Sequence, residues 1–477
     1  MYPTAAFQGS KGPGEASQLQ PLPGRNPNLQ LGLRPQGQPE SKAGFYLVLA
    51  YLIFEFGRPQ DQLPGIKGIP FGMGLSILIL WKVLGSGKIN FSRLQTRLWI
   101  PLLGIMAIHV PIATNNFWAL MTFKDTVLLY CVYLGIITFV DSTEKMMTLM
   151  KLWIGIHGFL AVMGTLKGGK GIGSWMGDEN DFCMVMDMAA PFAYFLMFSA
   201  TNVVQRLKYL GVLGIIILAA MASLSRGGFM GLAAVGAYCW YRSPRKMNAL
   251  IVLAVAVVFM VVLAPESYWD EIASSTSDQT LQHGTGAERF YTWGIGMEMF
   301  YWNPIIGIGQ SNFPWAFDIY QEGRTFKGRS IAGRQAHSAW VTLISELGLA
   351  GIIIIGLMFY QCYKDLKFVR VKLAPAESVR KHGQIMKVGE DVRMYLARAM
   401  EGSLIGFIVS GVFISTLWYP SLWIMIAFVV ALRNVSEVVD GETKTTVVRG
   451  PNLAGVPLPK LEAKPTSPKS CSFGLAP

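Results

Sequence analysis

Residues 333–351 read GRQAHSAWVTLISELGLAG. Arg334 and His337 stand three residues apart, and the text after them turns without a break into an apolar helix long enough to enter a membrane. Directly before this stretch lies a long polar interval, Pro265 to Arg334. Chemistry is expected where the two meet.

The surrounding 477 residues are 52% hydrophobic and only 15% charged, well below the roughly 25% charge of soluble domains. With a mean hydropathy of +0.39 and many runs approaching the ~20 apolar residues that a bilayer core requires, the chain reads as a polytopic membrane protein. The fold expected is all-α, a membrane helix bundle of about twelve transmembrane helices with one large external loop between helices 9 and 10. The apolar segments lie at 44–56, 69–84, 98–113, 122–140, 148–166, 181–201, 207–224, 227–241, 247–264, 337–361, 402–416 and 418–433. Residues 1–43 and 434–477 read as disordered cytoplasmic tails, rich in Pro, Gly, Ser and Gln or Lys. Helices 1–9 occupy 44–264, the periplasmic loop 265–336, and helices 10–12 occupy 337–433 with a basic cytoplasmic loop at 362–401. No apolar core of a signal peptide stands at the start.

Distribution decides what the net charge of +12 means. Most Lys and Arg fall in the tails and in alternate short connections, above all between Lys364 and Arg398, as the positive-inside rule requires of cytoplasmic loops. No nucleic-acid partner is needed. The interval 265–334 then lies outside the cytoplasm and is net acidic, so the basic residues it keeps need a reason. Within it, Glu288 to Trp302 reads as an aromatic-rich helix in or on the membrane interface, stopped by Asn303 and Pro304. The five cysteines show neither CxxC nor zinc spacing and read as buried small hydrophobes.

Four positions stand out. Arg226, in SLSRGGFMG, ends a hairpin of apolar segments, and two glycines after it allow close backbone approach; it suits an anionic group, unless it only snorkels to the interface. Arg289 opens the loop helix, where the macrodipole disfavours a cation, so either Glu288 and other carboxylates hold it or it faces an anionic ligand. His337 at the membrane surface suits the removal of a proton from a hydroxyl; the plainer reading is an interfacial histidine bonded to backbone. Arg334 shares its side if the helix has already begun. Glu346, nine residues on and about half a turn away, is expected to be a buried structural contact rather than the partner of His337. GDENDF at 177–182 puts three acids at a helix mouth, where capping is the default and a divalent cation the alternative. Gly164 to Gly171 nearly spells a P-loop, but Gly171 replaces the Ser or Thr and no strand precedes it; Gly307 and Gly309 read as a turn.

SRGG at 225–228, ERFYTW followed by NPIIGIGQSNF, and AHSAWVTLISELGLAG together resemble the O-antigen ligase and polymerase superfamily of bacterial inner membranes. FEFGRPQD near the start and GDENDF are similar to its branch of O-glycosylation ligases associated with exosortase systems. The resemblance implies a metal-independent glycosyltransferase without cofactor, moving a glycan from an undecaprenyl diphosphate-linked donor to a lipid or protein hydroxyl at the periplasmic face. It implies that Arg226 and Arg289 bind the diphosphate, with Arg334 a looser match, and that His337 activates the acceptor. Ser338 stands where many relatives have asparagine, so no acceptor contact is assigned to it. A polymerase of the same superfamily is the near alternative. A polyprenyl-glycan or solute transporter would favour charges near mid-membrane, and a scaffold would make the loop dispensable.

Overall fold

The computed structural model describes residues 42–173, 175–243, 285–373 and 391–448, with isolated positions between 246 and 258 and a pair of two-residue strands, Arg380–Lys381 and Gln384–Ile385. Residues 1–41 and 449–477 of the expected tails, and most of the expected segment 247–264, lie outside these residues; 434–448, read as the start of a disordered tail, continue α13 as helix. The helices are α1 (Ala43–Leu52), α2 (Phe71–Ser86), α3 (Leu94–Ile112), α4 (Asn116–Phe139), α5 (Thr143–Leu166), α6 (Glu179–Ser199), α7 (Val203–Ala222), α8 (Arg226–Arg242), α9 (Thr285–Trp302), α10 (Phe313–Gln321), α11 (Ala339–Lys372), α12 (Val392–Ser410) and α13 (Pro420–Val448). Eleven of the twelve apolar segments thus fall on helices.

Among the described residues six helical stretches, α4, α5, α6, α7, α11 and 420–437 of α13, are long and apolar enough to cross a membrane. This is the architecture of a multi-pass membrane protein. Starts follow local chemistry: the side chains of Asn115, Ser142, Asp178, Asn202, Ser225, Ser338 and Asp391 each accept from a backbone N–H in the first turn. The polar loop expected at 362–401 is shorter than its composition implies. α11 runs on to Lys372, and α12 begins ten residues before the apolar segment expected at 402, because its charged first turns are paired within the protein, Arg393 with Asp391 at 2.6 Å.

The most enclosed helix is α6, packed by α7, α8 and α12. Small residues set these approaches. A Cβ on Gly228 would stand 2.2 Å from Cys183 Sγ, on Gly231 1.9 Å from Ser410 Oγ, and on Gly402 3.0 Å from Pro191. Van der Waals packing of this kind is what holds helices together where lipid removes the hydrophobic drive. The four described cysteines, Cys131, Cys183, Cys239 and Cys362, are buried and free.

The stretch 339–372 is not the uninterrupted helix its sequence reads as. At Gly348 the backbone takes φ 61° and ψ −156°, a region open only to glycine, and the helix breaks. Residues 304–309 enter the gap. Leu349 N–H donates to the Pro304 carbonyl (2.8 Å) and Ala350 N–H to Ile305 (2.9 Å), while the carbonyls of Ser345 and Glu346 accept from Ile308 and Gly309 (both 3.0 Å). Four bonds to the inserted segment satisfy backbone groups on both sides of the break. Broken backbone is tolerated at membrane depth only when protein satisfies it in this way. Gly307 and Gly309, read as a simple turn, have positive φ because Gly307 lies against the Glu346 backbone and Gly309 against His109 and Ala113.

Glu346 completes the joint. Its carboxylate accepts from Ser311 N (2.8 Å), Phe313 N (3.1 Å) and Trp418 Nε1 (2.8 Å). Gln310 is buried beyond it, bonded to His109 and to the Met106 and Ala119 carbonyls, which ties the segment to α3 and α4.

Candidate functional site

The hairpin between α7 and α8 is built to present Arg226. Leu224 turns the chain at φ 51°, Ser225 caps α8 by accepting from Gly228 N (3.0 Å), and the same hydroxyl donates to Asn180 Oδ1 (2.7 Å). Asn180 is held in turn by Asp178, which accepts from its backbone N–H (2.8 Å) and side-chain amide (2.9 Å). Gly169 (φ 86°) lies beneath the hairpin, where a Cβ would meet the Ala222 carbonyl at 2.2 Å. The glycines after Arg226 serve helix packing rather than ligand approach, since Cβ atoms on Gly227 and Gly228 would run into Phe413 and Cys183.

Arg226 and Arg289 line one cavity of about 510 Å³, with Asn180, Ser225, Met230 and Phe413 also in its wall. Two guanidiniums and the N-terminus of α8, with Glu179 also in the wall, face a common space, which favours a group with distributed negative charge. Arg289 lies in the cavity wall, with Asp178 as a carboxylate that acts on it. Glu288 is committed elsewhere, to Arg334 at 3.2 Å and Arg329 at 3.8 Å. Burial and then the Arg226 charge pull the Arg289 pKa below its usual value, and Asp178 opposes them.

His337 does not line this cavity but borders it electrostatically. Its ring is accessible, yet the protein around it desolvates the cation and lowers its pKa; the charges of Arg289 and Arg334 add to the shift, while Asp178 and Glu288 work against it. The residue itself has φ 47°, just ahead of the Ser338 cap that accepts from Val341 N at 3.3 Å. α9 is fastened beside it by Trp293 Nε1, which donates to the Ala336 carbonyl (2.8 Å). Arg334 does not share a helical face with His337, because α11 begins only at Ala339. Arg334 pairs with Glu288 and is not among the residues lining the cavity.

The acids of GDENDF point three ways. Asp178 caps α6, Glu179 pairs with Lys170 (3.1 Å), and Asp181 accepts from the Tyr419 hydroxyl (3.0 Å). Among the described residues no group of three or more His, Cys, Asp or Glu is placed to hold a metal ion. The near-P-loop at 164–171 follows helix α5 and places Lys170 on Glu179. Two features escaped the sequence reading. Asn180 and Ser225 join the cavity wall through a bond spanning 45 residues, which local pattern does not reveal. Asp187, wholly buried and accepting from Ser410 Oγ at 2.7 Å, had a readable signal: an ionisable residue inside an apolar run.

Residues 211–356, which contain Arg226, Arg289, Arg334 and His337, match the family described as O-antigen ligase. The match covers just under a third of the chain. No curated protein matches it.

Proposed function

We propose that the protein is a bacterial membrane glycosyltransferase of the O-antigen ligase type, transferring a glycan from an undecaprenyl diphosphate-linked donor to a lipid or protein hydroxyl. The observation that carries this reading is the meeting of Arg226 and Arg289, from separate elements, in one cavity beside His337. The similarity of residues 211–356 to O-antigen ligases supports it.

In this reaction His337, neutral near pH 7, takes the proton of the acceptor hydroxyl as its oxygen attacks the anomeric carbon. The bond from that carbon to the diphosphate breaks, and the leaving oxygen keeps the electron pair. Arg226 and Arg289 stabilise the growing negative charge, a role in which two fixed guanidiniums stand in place of a metal ion. Met230 and Phe413 give the same cavity an apolar side suited to a polyprenyl chain. The opposite end of the bundle is rich in arginine, which supports a periplasmic site in the inner membrane. The glycan, its acceptor and any exosortase association belong to the resemblance alone.

Purified protein given a lipid diphosphate-linked glycan is expected to release undecaprenyl diphosphate, and Arg226→Ala, Arg289→Ala and His337→Ala are each expected to block release. Full turnover by all three variants would remove the assignment.

A further inference from the structure

Helix α9 was expected to lie along the membrane surface within an external loop. Its contacts give it another direction. Trp293 bonds to Ala336, a Cβ on Gly296 would touch Val341 at 2.6 Å, and Pro304 and Ile305 bond to Leu349 and Ala350. Partner numbers rise together, so α9 runs parallel to α11 and descends with it.

The depth follows from helix geometry. At 1.5 Å per residue, residues 345–350 lie about 9 to 16 Å along α11 from its start at Ala339. α11 is one of the helices able to cross the membrane, so the segment 304–309 bonded at that level lies below the surface. The chain then returns: Asn303 Nδ2 donates to Tyr320 Oη (2.6 Å), Arg324 pairs with Glu298, and Phe326 lies 5.4 Å from Tyr291. Each contact pairs a later residue with an earlier one on α9 or, for Asn303, just past its end.

The outer face of this hairpin is apolar and uncovered. Tyr301 is 74% exposed, Trp302 68% and Ile305 73%, and they continue the exposed edge of α11 at Leu349 and Ile353. In water such a run would be a liability. Of the charges on the hairpin, Glu298 and Arg324 form a doubly hydrogen-bonded pair at 2.8 and 2.5 Å, the form in which charge is tolerated near an apolar phase, and Asp318 is exposed on the returning arm.

We infer that residues 293–320 form a re-entrant membrane element whose Tyr301, Trp302 and Ile305 edge contacts lipid acyl chains. The backbone it carries into the apolar layer is satisfied by the break at Gly348, and its side chains continue the lipid-facing surface of α11. This rests on the membrane placement of α11 and not on the transferase reading.

The test is nitroxide accessibility in the full-length protein reconstituted into phosphatidylcholine–phosphatidylglycerol vesicles. Trp302→Cys, Ile305→Cys and, as the water-side reference, Ser330→Cys are made in a Cys471→Ser background, the four described native cysteines being buried. Labels at 302 and 305 are expected to collide with oxygen in preference to a nickel chelate, by several-fold relative to 330. A nickel preference equal to that at 330, or protection from both reagents, overturns the inference. All three side chains are exposed, so loss of fold is not expected; Tyr301→Cys supplies an independent reading of the same edge.

Discussion

Arginines at the two ends of the bundle live in opposite circumstances. At the end reached by the C-termini of α8 and α11, Arg370 bonds to Glu401 at 3.1 Å, with Arg242 at 3.7 Å and the Tyr238 hydroxyl donating to the same carboxylate at 2.6 Å. Nearby, Arg433 pairs with Glu437 at 2.6 Å, Arg93 pairs with the same acid, and Asp365 accepts from Gln95 at 2.7 Å. At the other end Arg226 and Arg289 share a cavity, and the charge of the first lowers the pKa of the second. The first arrangement lowers the energy of the protein alone. In the second the Arg226 charge disfavours the charged form of Arg289, and under the proposed function an anion between them would offset this. Under the proposed function the first set of arginines serves the fold and the second an anionic ligand.

The sharpest way to break this comparison is Arg289→Ala. Transfer is expected to fall by about 100-fold or more, close to 3 kcal/mol at 1.36 kcal/mol per decade. Because the change also relieves repulsion with Arg226, the thermal midpoint is expected to hold or rise; a fall would mean that Arg289 is structural. Next in size is Gly348→Ala, where a side chain must occupy positive φ and meet the Ile305 backbone at 2.8 Å. A loss of about 3 kcal/mol is expected in thermal or denaturant unfolding. Arg370→Ala tests the opposite end: about 2 kcal/mol of stability lost as Glu401 is left to weaker partners, with transfer per folded molecule unchanged. Loss of turnover without loss of stability there would erase the distinction between the ends.

The smallest effect is on pH dependence. Because the folded protein lowers the His337 pKa below 6.5, the neutral base is present at pH 7, and activity is expected to fall only as pH drops through that lowered value. Between the folded pKa and 6.5 the unfolded chain binds more protons, so this residue makes stability rise with pH across that window. Arg334→Gln removes one of the charges that depress the pKa, and the acid limb of the rate profile is expected to move upward by a few tenths of a unit. A limb that does not move would place Arg334 outside the electrostatics of the site.

What the sequence disclosed was local. Apolar runs located the helices, SRGG located a tight hairpin with an arginine at its tip, and the offset from His337 correctly separated Glu346 from it. What stayed hidden depended on partners far along the chain. Gly348 sits in an apolar pattern that continues helically on both sides, so nothing nearby announces that its carbonyl and amide neighbours bond to residues 304–309. The course of α9 beside α11 was hidden for the same reason: an aromatic-rich helix carries no local sign of its neighbour, which only the Trp293, Gly296 and Ile305 contacts reveal. α12 began earlier than hydropathy indicated because Arg393 is neutralised by Asp391.

The joint at Gly348 also fixes a length. Since residues 304–309 pair with 345–350, the spacing from Arg289 down α9 to the joint, and from the joint back up to His337, is counted in whole residues on both arms. Adding one residue between Asn303 and Phe313 would pull Glu346 off Ser311 and Phe313 and shift the arginine against the histidine. Adding one at the turn near Gly328, beyond both arms, would lengthen only exposed chain. The joint is therefore a ruler for the site, and it makes two stretches of the same polar interval unequal in how much change in length they tolerate.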